Sequence, residues 1–386
     1  MTNRSRESLA PGDIPFHEFS MERWMSEWEN TVEYNLSESG VHPMTLGELL
    51  QLAGKPSEEL LQLELNYPQT NGRDELRAII AAMYPGARAQ NVLVTVGAAE
   101  ANYLVMNSIF EPTDEFCIVL PNYMQIHGLA RNLGLPIREA RLNENDDWHL
   151  DVASLEAAVN EKTKLIAVCN PNNPTGRILT AKEMSAVVGC AERVGAWILA
   201  DEVYRGAERL SDQETTSFYG MYDRVLCQGS MSKAYGLPGL RVGWTVGPPA
   251  MLKALWRRHE YTTITATMLS NHLTQLALSP EVRPKILART RAHIRSGHER
   301  MSAWAQGIEG LRLFPTEAAA ITFSRYSMDI NSTELAERLR TEKSVMVVPG
   351  DHFGMDHCLR FSFGLPHDYL DEGLRRVGEM FAELHA

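Results

Sequence analysis

Lys233 lies in a segment, residues 230–244, whose residue types suit chemistry with a phosphorylated aldehyde. Its amine can form an imine with an aldehyde. The hydroxyls of Ser230 and Ser232 and the guanidinium of Arg241 can hold a phosphate. The alternative is a surface lysine beside a glycine-rich loop, since such loops are common. A lysine, two hydroxyls and an arginine in this order favour a site for pyridoxal phosphate (PLP).

Two further segments carry the polar groups that a PLP site needs. Each follows an apolar run, as in a buried parallel strand, and ligands bind at the carboxyl edge of open α/β sheets. Asp201 can keep the pyridine nitrogen protonated, so that the ring acts as an electron sink. Asn173 and Tyr204 can donate to the phenolate oxygen of the ring. Alone, Asp201 can be a helix cap and Asn173 a turn residue, but with the lysine segment they predict the cofactor site.

These motifs resemble those of the class I and II aminotransferases, which are PLP enzymes of fold type I. The matching residues are Asn173-Pro174-Thr175-Gly176, Asp201-x-x-Tyr204, Ser230-x-Ser232-Lys233 and Arg241. They occur in the family's order with approximately its spacing, and the resemblance extends from about residue 30 to residue 380. It implies an α/β fold with a mostly parallel central sheet flanked by helices, and a smaller α+β domain. It also implies PLP as cofactor and a homodimer.

The resemblance assigns cofactor contacts to residues outside these motifs. Gly97, Ala98 and Ala99 match the turn under the PLP phosphate, at the start of a helix whose amides attract anions. Tyr123 matches the aromatic residue that stacks on the pyridine ring. Tyr67 matches the tyrosine that reaches the phosphate bound by the partner subunit.

Substrate binding is assigned in the same way. Arg360 matches the arginine that binds the α-carboxylate, a task that needs a planar bidentate donor. Gly40 and Asn173 match positions beside the substrate. No arginine matches one that binds a distal carboxylate, so aspartate and glutamate are not favoured as substrates. Glu38 is a candidate partner for a cationic side chain.

The segment 35–42 departs from the ordinary aminotransferase pattern at Ser39 and His42. Together with the lysine segment, it resembles fold-type I enzymes that cyclise a β-hydroxylated arginine. His42 is then a candidate acid, base or substrate-orienting group, because histidine titrates near neutral pH. The alternative is a loop histidine that caps a turn. The intact Asn-Pro-Asn-Asn-Pro-Thr-Gly and Asp-Glu-Val-Tyr motifs favour ordinary transamination.

The expected reaction is transfer of the α-amino group of an L-amino acid to a 2-oxo acid with ping-pong kinetics. Lys233 acts as general base and then as general acid, with Asp201 stabilising the cofactor's charge. The alternative is elimination and ring closure on a β-hydroxylated basic amino acid, which needs no 2-oxo acid. A ligand-sensing regulator is disfavoured because only about 40 residues, which are not basic, precede the catalytic fold. An inactive scaffold is disfavoured because every residue that the chemistry needs is present.

Apolar segments alternate with segments of helical period along the middle of the chain, which predicts a mostly parallel α/β sheet. The predicted strands are 92–96, 116–120, 164–169, 196–200, 225–228 and 242–246. The predicted helices are 98–110, 151–160, 180–194 and 281–306. The length of 386 residues suggests two domains. We place the large PLP-binding domain at 45–285 and the small domain at 1–44 plus 286–386.

The composition bounds the remaining possibilities. The formal net charge is −12, the pI is about 5.5 and no basic stripe is present, which argues against nucleic-acid binding. No apolar run approaches the roughly 18 residues of a membrane span. The five cysteines lack C-x-x-C spacing and no apolar run follows the N-terminus, so we expect buried, reduced cysteines, no signal peptide and a cytoplasmic protein. The histidines lack metal-ligand spacing, so no metal site is predicted.

Overall fold

A computed structural model gives the structure of the protein and describes residues 16–385. Its α-helices, α1 to α12 in chain order, are Ser20–Trp28, Leu46–Ala53, Asp74–Ala81, Gly97–Ile109, Gln125–Asn132, Val152–Ala158, Ala181–Val194, Pro249–His259, Met268–Ala277, Arg283–Ala305, Ser332–Lys343 and His367–His385. Its strands, β1 to β14, are Tyr34–Asn35, Val92–Thr95, Glu115–Leu120, Ile137–Asn143, His149–Leu150, Thr163–Cys169, Trp197–Asp201, Val225–Ser230, Gly243–Val246, Leu311–Arg312, Ile321–Tyr326, Val345–Met346, Val348–Pro349 and Cys358–Ser362. The N-terminus considered for a signal peptide and the beginning of the predicted small domain, residues 1–15, lie outside the described residues.

The central sheet contains eight strands in the order β2-β9-β8-β7-β6-β3-β4-β5. The run from β8 through β7, β6 and β3 to β4 is parallel throughout. Strand β9 is antiparallel to both of its neighbours, and β5 is antiparallel to β4 at the edge. The sheet is therefore mostly parallel, as the alternation of segments predicted.

Burial determines which of these strands are recognisable in the sequence. The central strands β6, β7 and β8 are almost wholly buried, and the segments predicted for them agree with the structure within about two residues. Strand β4 was not predicted. In β4, Ala140 and Leu142 are buried while Glu139 and Arg141 are exposed, so that this strand has no continuous apolar run.

The crossover helix α7 begins and ends at local signals. The Thr180 side chain accepts a hydrogen bond from the Glu183 amide, and the Glu183 side chain accepts one from the Thr180 amide, which forms a capping box. At the other end Gly195 has a φ of 68°, the left-handed conformation that terminates helices. These signals account for the close agreement with the predicted helix at 180–194.

A second sheet, with the antiparallel order β10-β11-β14-β13, is formed by the chain after α10. Strand β1 pairs in parallel with β12, with Tyr34 opposite Val345, and so attaches the N-terminal segment to the C-terminal part of the chain. This pairing suits a small domain built from both ends of the chain. The boundaries 45–285 and 1–44 plus 286–386 remain a prediction.

All five cysteines are buried and free, as their spacing predicted. Between residues 16 and 385, no helix is both long enough and apolar enough to cross a bilayer. The same residues contain no group of three or more His, Cys, Asp or Glu side chains arranged to hold a metal ion.

Candidate active site

A cavity of about 420 Å³ opens where β7 and β8 end. Most of the residues predicted from the motifs line it, although they come from distant parts of the chain. These are Ala98, Ala99, Tyr123, Asn173, Asp201, Tyr204, Ser230, Ser232, Lys233, Arg241 and Arg360. The parallel strands deliver their carboxyl ends to one edge of the sheet, which brings the following loops together.

One corner of the cavity gathers donors that suit a phosphate. The Ser230 hydroxyl lies 3.0 Å from the Ser232 hydroxyl, which accepts a hydrogen bond of 3.3 Å from Nη1 of Arg241. Helix α4 begins beside them at Gly97, which has a φ of +75°, and the first amides of a helix attract anions. A Cβ at position 97 would lie 2.5 Å from Nη2 of Arg241, so only glycine permits this approach.

Asp201 ends β7 inside the cavity wall and is buried. One of its carboxylate oxygens accepts a hydrogen bond of 3.2 Å from the Val203 amide. Burial raises its pKa from 3.8 to about 6, and the nearby charge of Lys233 only partly offsets the rise. A buried carboxylate of this kind favours a cationic partner, such as a protonated ring nitrogen.

Arg360, in β14, is only 1% exposed. Its Nη1 donates to Oδ1 of Asn173 at 3.0 Å, and its Nη2 donates to the carbonyl of Ser37 at 2.5 Å. Its Nε has no partner, and within the described part of the chain no carboxylate forms an ion pair with it. Burial lowers the pKa of this guanidinium. Because an unpaired buried charge is costly, the site is prepared for an anion.

Two tyrosines shape the space between Asp201 and Arg360. Burial raises the pKa of the Tyr204 hydroxyl, whereas the charge of Arg360 and a hydrogen bond from Ser39 oppose the rise. The ring of Tyr123 packs edge-on against Phe19 at 5.2 Å, and its hydroxyl donates to Glu22. Tyr204 is therefore held as a neutral donor, and Tyr123 offers an aromatic wall.

Four predicted site residues do not line the cavity: Gly97, whose turn forms the phosphate corner beside Arg241, and Gly40, His42 and Tyr67. Gly40 lies directly behind it, since a Cβ there would be 3.7 Å from Cδ of Lys233. His42 is exposed; its amide donates to Gly364, its carbonyl accepts from Arg289, and the structure does not bring it to the other site residues. Tyr67 is 82% exposed on this single chain, and its role in a partner subunit remains a prediction.

The sequence motifs did not indicate that helix α1 forms part of the site. Helix α1 and the residues directly before and after it contribute Phe19, Met21, Glu22, Met25 and Glu29 to the cavity wall. The spacing of the buried Met21 and Met25 is helical, so an amphipathic helix was predictable there. The local sequence does not indicate which surface of the protein this amphipathic helix packs against.

Two observations show that the residues present fit PLP, and a third shows that they fit an amino-acid substrate. The corner at Gly97 is a cradle of donors without a side chain in the way. Asp201 is a buried carboxylate whose pKa is raised by burial, and a cation beside it would relieve that cost. Arg360 is a buried cation without a carboxylate in the range 16–385. A phosphate, a protonated pyridine nitrogen and a substrate carboxylate would satisfy these groups in turn.

Comparison with known proteins agrees with this geometry. The sequence model of the family "Aminotransferase class I and II" matches residues 46–377. Capreomycidine synthase from Streptomyces vinaceus is 31% identical over 363 residues, which cover 93% of this chain and 92% of that protein. The resemblance to arginine-cyclising enzymes seen in the motifs therefore extends over most of the chain.

Two solved structures share the fold over nearly the whole chain. A PLP-dependent aminotransferase from Streptococcus suis superposes with a TM-score of 0.90 and 28% identity, covering 96% of this chain and 99% of that one. The PLP-dependent cyclase OrfR superposes with a TM-score of 0.87 and 26% identity, covering 97% and 99%. The expected fold type I is thereby confirmed. This chain belongs to the class I and II aminotransferase family and is a PLP-dependent enzyme.

Proposed function

We propose that the protein transfers the α-amino group of an L-amino acid to a 2-oxo acid. The observation that carries the proposal is the buried Arg360, which lines the same cavity as Lys233 and lacks a carboxylate partner among residues 16–385. A substrate carboxylate on Arg360 leaves the α-amino group in the cavity that Lys233 also faces. Asn173 supports this position because its side-chain oxygen already orients the guanidinium.

Each residue has a defined task in this proposal. Bound PLP would supply an aldehyde for the substrate amine and a ring that accepts electron density from a bond to the substrate Cα. Nζ of Lys233 removes the α-proton and later returns it, as general base and then general acid. Asp201 holds the proton on the ring nitrogen, and Tyr204 donates a hydrogen bond from its neutral hydroxyl.

The other predicted contacts position the cofactor. Ser230, Ser232 and Arg241, with the amides at the start of α4, bind the phosphate. Tyr123 lies against the ring. Residues of α1, including the apolar Met21 and Met25, cover the cavity and keep water from the reacting atoms.

Ser39 supports a second candidate, elimination and ring closure on a β-hydroxylated basic amino acid. Its buried side chain lines the cavity beside the hydroxyl of Tyr204, where it can hydrogen-bond a hydroxyl of the substrate. The similarity to capreomycidine synthase and to the cyclase OrfR points the same way. His42, the other residue that suggested this chemistry, is exposed outside the cavity and does not add to it.

A single-turnover experiment separates the two candidates. The yellow holoenzyme is mixed with a panel of L-amino acids, including a β-hydroxylated basic one, in the absence of any 2-oxo acid. We expect stable loss of the visible absorbance and one 2-oxo acid released per site, with the yellow form restored when a 2-oxo acid is added.

Continued turnover without a 2-oxo acid would contradict amino-group transfer and establish the second candidate. The Lys233→Ala variant is the control for both, since each reaction needs proton transfer by this amine. Lys253→Ala, which changes a lysine outside the cavity, should behave as wild type.

A further inference from the structure

Three glutamates line the part of the cavity wall that the N-terminal segment supplies. Glu22 lies on α1, Glu29 directly follows α1, and Glu38 follows β1. They share the cavity with Lys233 and Arg360. The part of the cavity wall that these segments supply is therefore acidic.

These three carboxylates lack basic partners in the described structure. No lysine, arginine or histidine of residues 16–385 forms an ion pair with Glu22, Glu29 or Glu38. Glu22 accepts a hydrogen bond from the Tyr123 hydroxyl. Glutamates nearby that point elsewhere are paired: Glu27 with Arg23, and Glu33 with Arg376.

Their charges act on one another and on the groups that would hold the substrate. Burial raises the pKa of the half-buried Glu29, and the charges of Glu38 and Glu22 raise it further, whereas Lys233 lowers it. Glu38 and Glu22 also act on the guanidinium of Arg360. Like charges gathered in a partly buried wall repel, and a cation placed among them relieves that repulsion.

Arg360 provides an independent indication that a ligand lies here. It is a fully buried guanidinium with an unpartnered Nε in the same cavity, which calls for a carboxylate. Once an α-carboxylate binds Arg360 and the α-amine lies near Lys233, the side chain has the remaining wall to contact. That wall contains Glu29 and Glu38, so the charge of the side chain is the property that the site selects.

We infer that the amino-acid substrate carries a cationic side chain, a guanidinium or an ammonium, which Glu29 and Glu38 bind with the support of Glu22. The inference rests on the proposed function, because it takes the α-carboxylate to lie on Arg360. A substrate with a distal carboxylate would add a fourth negative charge to this wall. The site therefore discriminates against aspartate and glutamate.

The test compares arginine with citrulline, which has the same length and the same α-groups but a neutral end. Dissociation constants are measured from the rapid absorbance change on mixing, which precedes the slower loss of visible absorbance, so that binding is read separately from product. Wild type should bind arginine at least about tenfold more tightly than citrulline. A partly exposed ion pair between one guanidinium and two carboxylates can provide a difference in affinity of that size. Comparing the affinities for lysine and ornithine with that for norleucine, which has an uncharged side chain, shows whether the site also binds an ammonium.

The double variant Glu29→Gln/Glu38→Gln should bring the ratio of arginine to citrulline affinity close to one. Its citrulline affinity should stay within about threefold of wild type, which reports that the site is still folded. Glu27→Gln is the control, because it removes one negative charge two residues before Glu29 but lies outside the cavity, and it should preserve the ratio.

Two results overturn the inference: equal affinity of wild type for arginine and citrulline, or a preference for arginine that persists in the double variant. The proposed function fails differently. Tight, charge-dependent arginine binding with no 2-oxo acid released would refute amino-group transfer from arginine while leaving the cationic side chain in place. Release of 2-oxo acids from neutral amino acids, with no preference for arginine, would leave amino-group transfer in place and refute the inference.

Discussion

Asp201 is a carboxylate whose surroundings oppose its charge. The side chain is buried at the end of β7, and burial raises its pKa from 3.8 to about 6. Between these pH values the folded protein binds the proton and the unfolded chain releases it. The free energy of unfolding of the cofactor-free protein therefore falls as the pH rises from about 4 to 6. Above pH 6 the carboxylate is charged in both states, and the buried charge destabilises the fold in full.

Asp201→Asn is expected to stabilise the cofactor-free protein above pH 6 by up to about 3 kcal/mol, at 1.36 kcal/mol per pKa unit. The gain should shrink as the pH is lowered through 6 towards 4, because the native carboxyl is then protonated. Urea unfolding of the apoprotein at several pH values measures it. The holoenzyme of the same variant should lose most of its activity, since the ring nitrogen loses its anionic partner.

Asp223→Asn is the control for this prediction, because Asp223 is exposed. Its unfolding free energy should differ little from that of wild type at every pH. A stabilisation by Asp201→Asn that is independent of pH would show that the buried charge is not its cause.

Arg360→Lys is expected to lower kcat/KM for an amino-acid substrate by about a hundredfold, because lysine cannot make the planar bidentate contact. Reaction with agmatine, the amine that lacks the carboxylate of arginine, should change much less. The ratio of the two kcat/KM values therefore measures the contact with the carboxylate. Arg325→Lys, in β11 and outside the cavity, should leave that ratio unchanged.

If Arg360→Lys lowered both values equally, Arg360 would be a structural residue. Its contacts with Asn173 and Ser37 would then be its main role.

At the scale of elements, the junction between β2 and α4 builds the phosphate corner. The chain reverses from strand to helix at Gly97, with a φ of +75°. The turn places the first amides of α4 beside Arg241, whose own φ of 50° lies in the left-handed region. Two segments almost 150 positions apart thereby converge on one anion site.

Gly97→Ala is expected to weaken PLP binding by about tenfold or more, because the added Cβ would lie 2.5 Å from Nη2 of Arg241. The positive φ adds a stability cost of about 1 kcal/mol. PLP titration of the apoprotein and thermal unfolding measure the two effects separately.

Gly54→Ala is the matched control. Gly54 has a φ of +62° at the end of α2, and nothing lies within 4 Å of its hypothetical Cβ. It should show the stability cost alone. Equal PLP affinity in both variants would argue against the phosphate corner.

At the scale of the whole molecule, the single chain leaves large apolar side chains in water. Leu61, Leu65, Tyr67 and Tyr261 are each at least 80% exposed. Contiguous exposed apolar groups are typical of protein interfaces, and Leu61, Leu65 and Tyr67 lie within seven residues of one another in the sequence. A homodimer in which Tyr67 reaches the site of the partner subunit would cover them, as the family resemblance implies.

A hybrid dimer tests that arrangement. Tyr67→Ala and Lys233→Ala are refolded together at equal concentrations and assayed at limiting PLP. If Tyr67 acts across the interface, each hybrid contains one intact site, and the mixture should regain about a quarter of wild-type activity. If Tyr67 acts within its own subunit, the mixture should be no more active than the two variants assayed separately.

Residue types and short spacings alone determined the cofactor chemistry. Lys233, Asp201 and Asn173 lie in short motifs at the ends of buried strands. An apolar run predicts each strand, and the end of a parallel strand predicts the edge of the sheet at which ligands bind. The half-exposed β4 was missed because it lacks such a run. The central fold, and most of the residues that line the cavity among those predicted, were therefore accessible from sequence.

On the substrate side, the family resemblance assigned Arg360, Gly40 and Asn173 from sequence, but only the tertiary structure decided which further side chains surround them. Arg360 donates to the carbonyl of Ser37, 323 positions away, and Glu22 meets Tyr123 across 101 positions. No local pattern encodes such approaches, because they depend on how α1 and the segment after β1 pack onto the cavity. The same packing puts Ser39 on the wall and turns His42, three residues further on, to the exterior. Local motifs thus indicate the cofactor chemistry, whereas the side chains that select the substrate come together only when distant segments of the chain pack against one another.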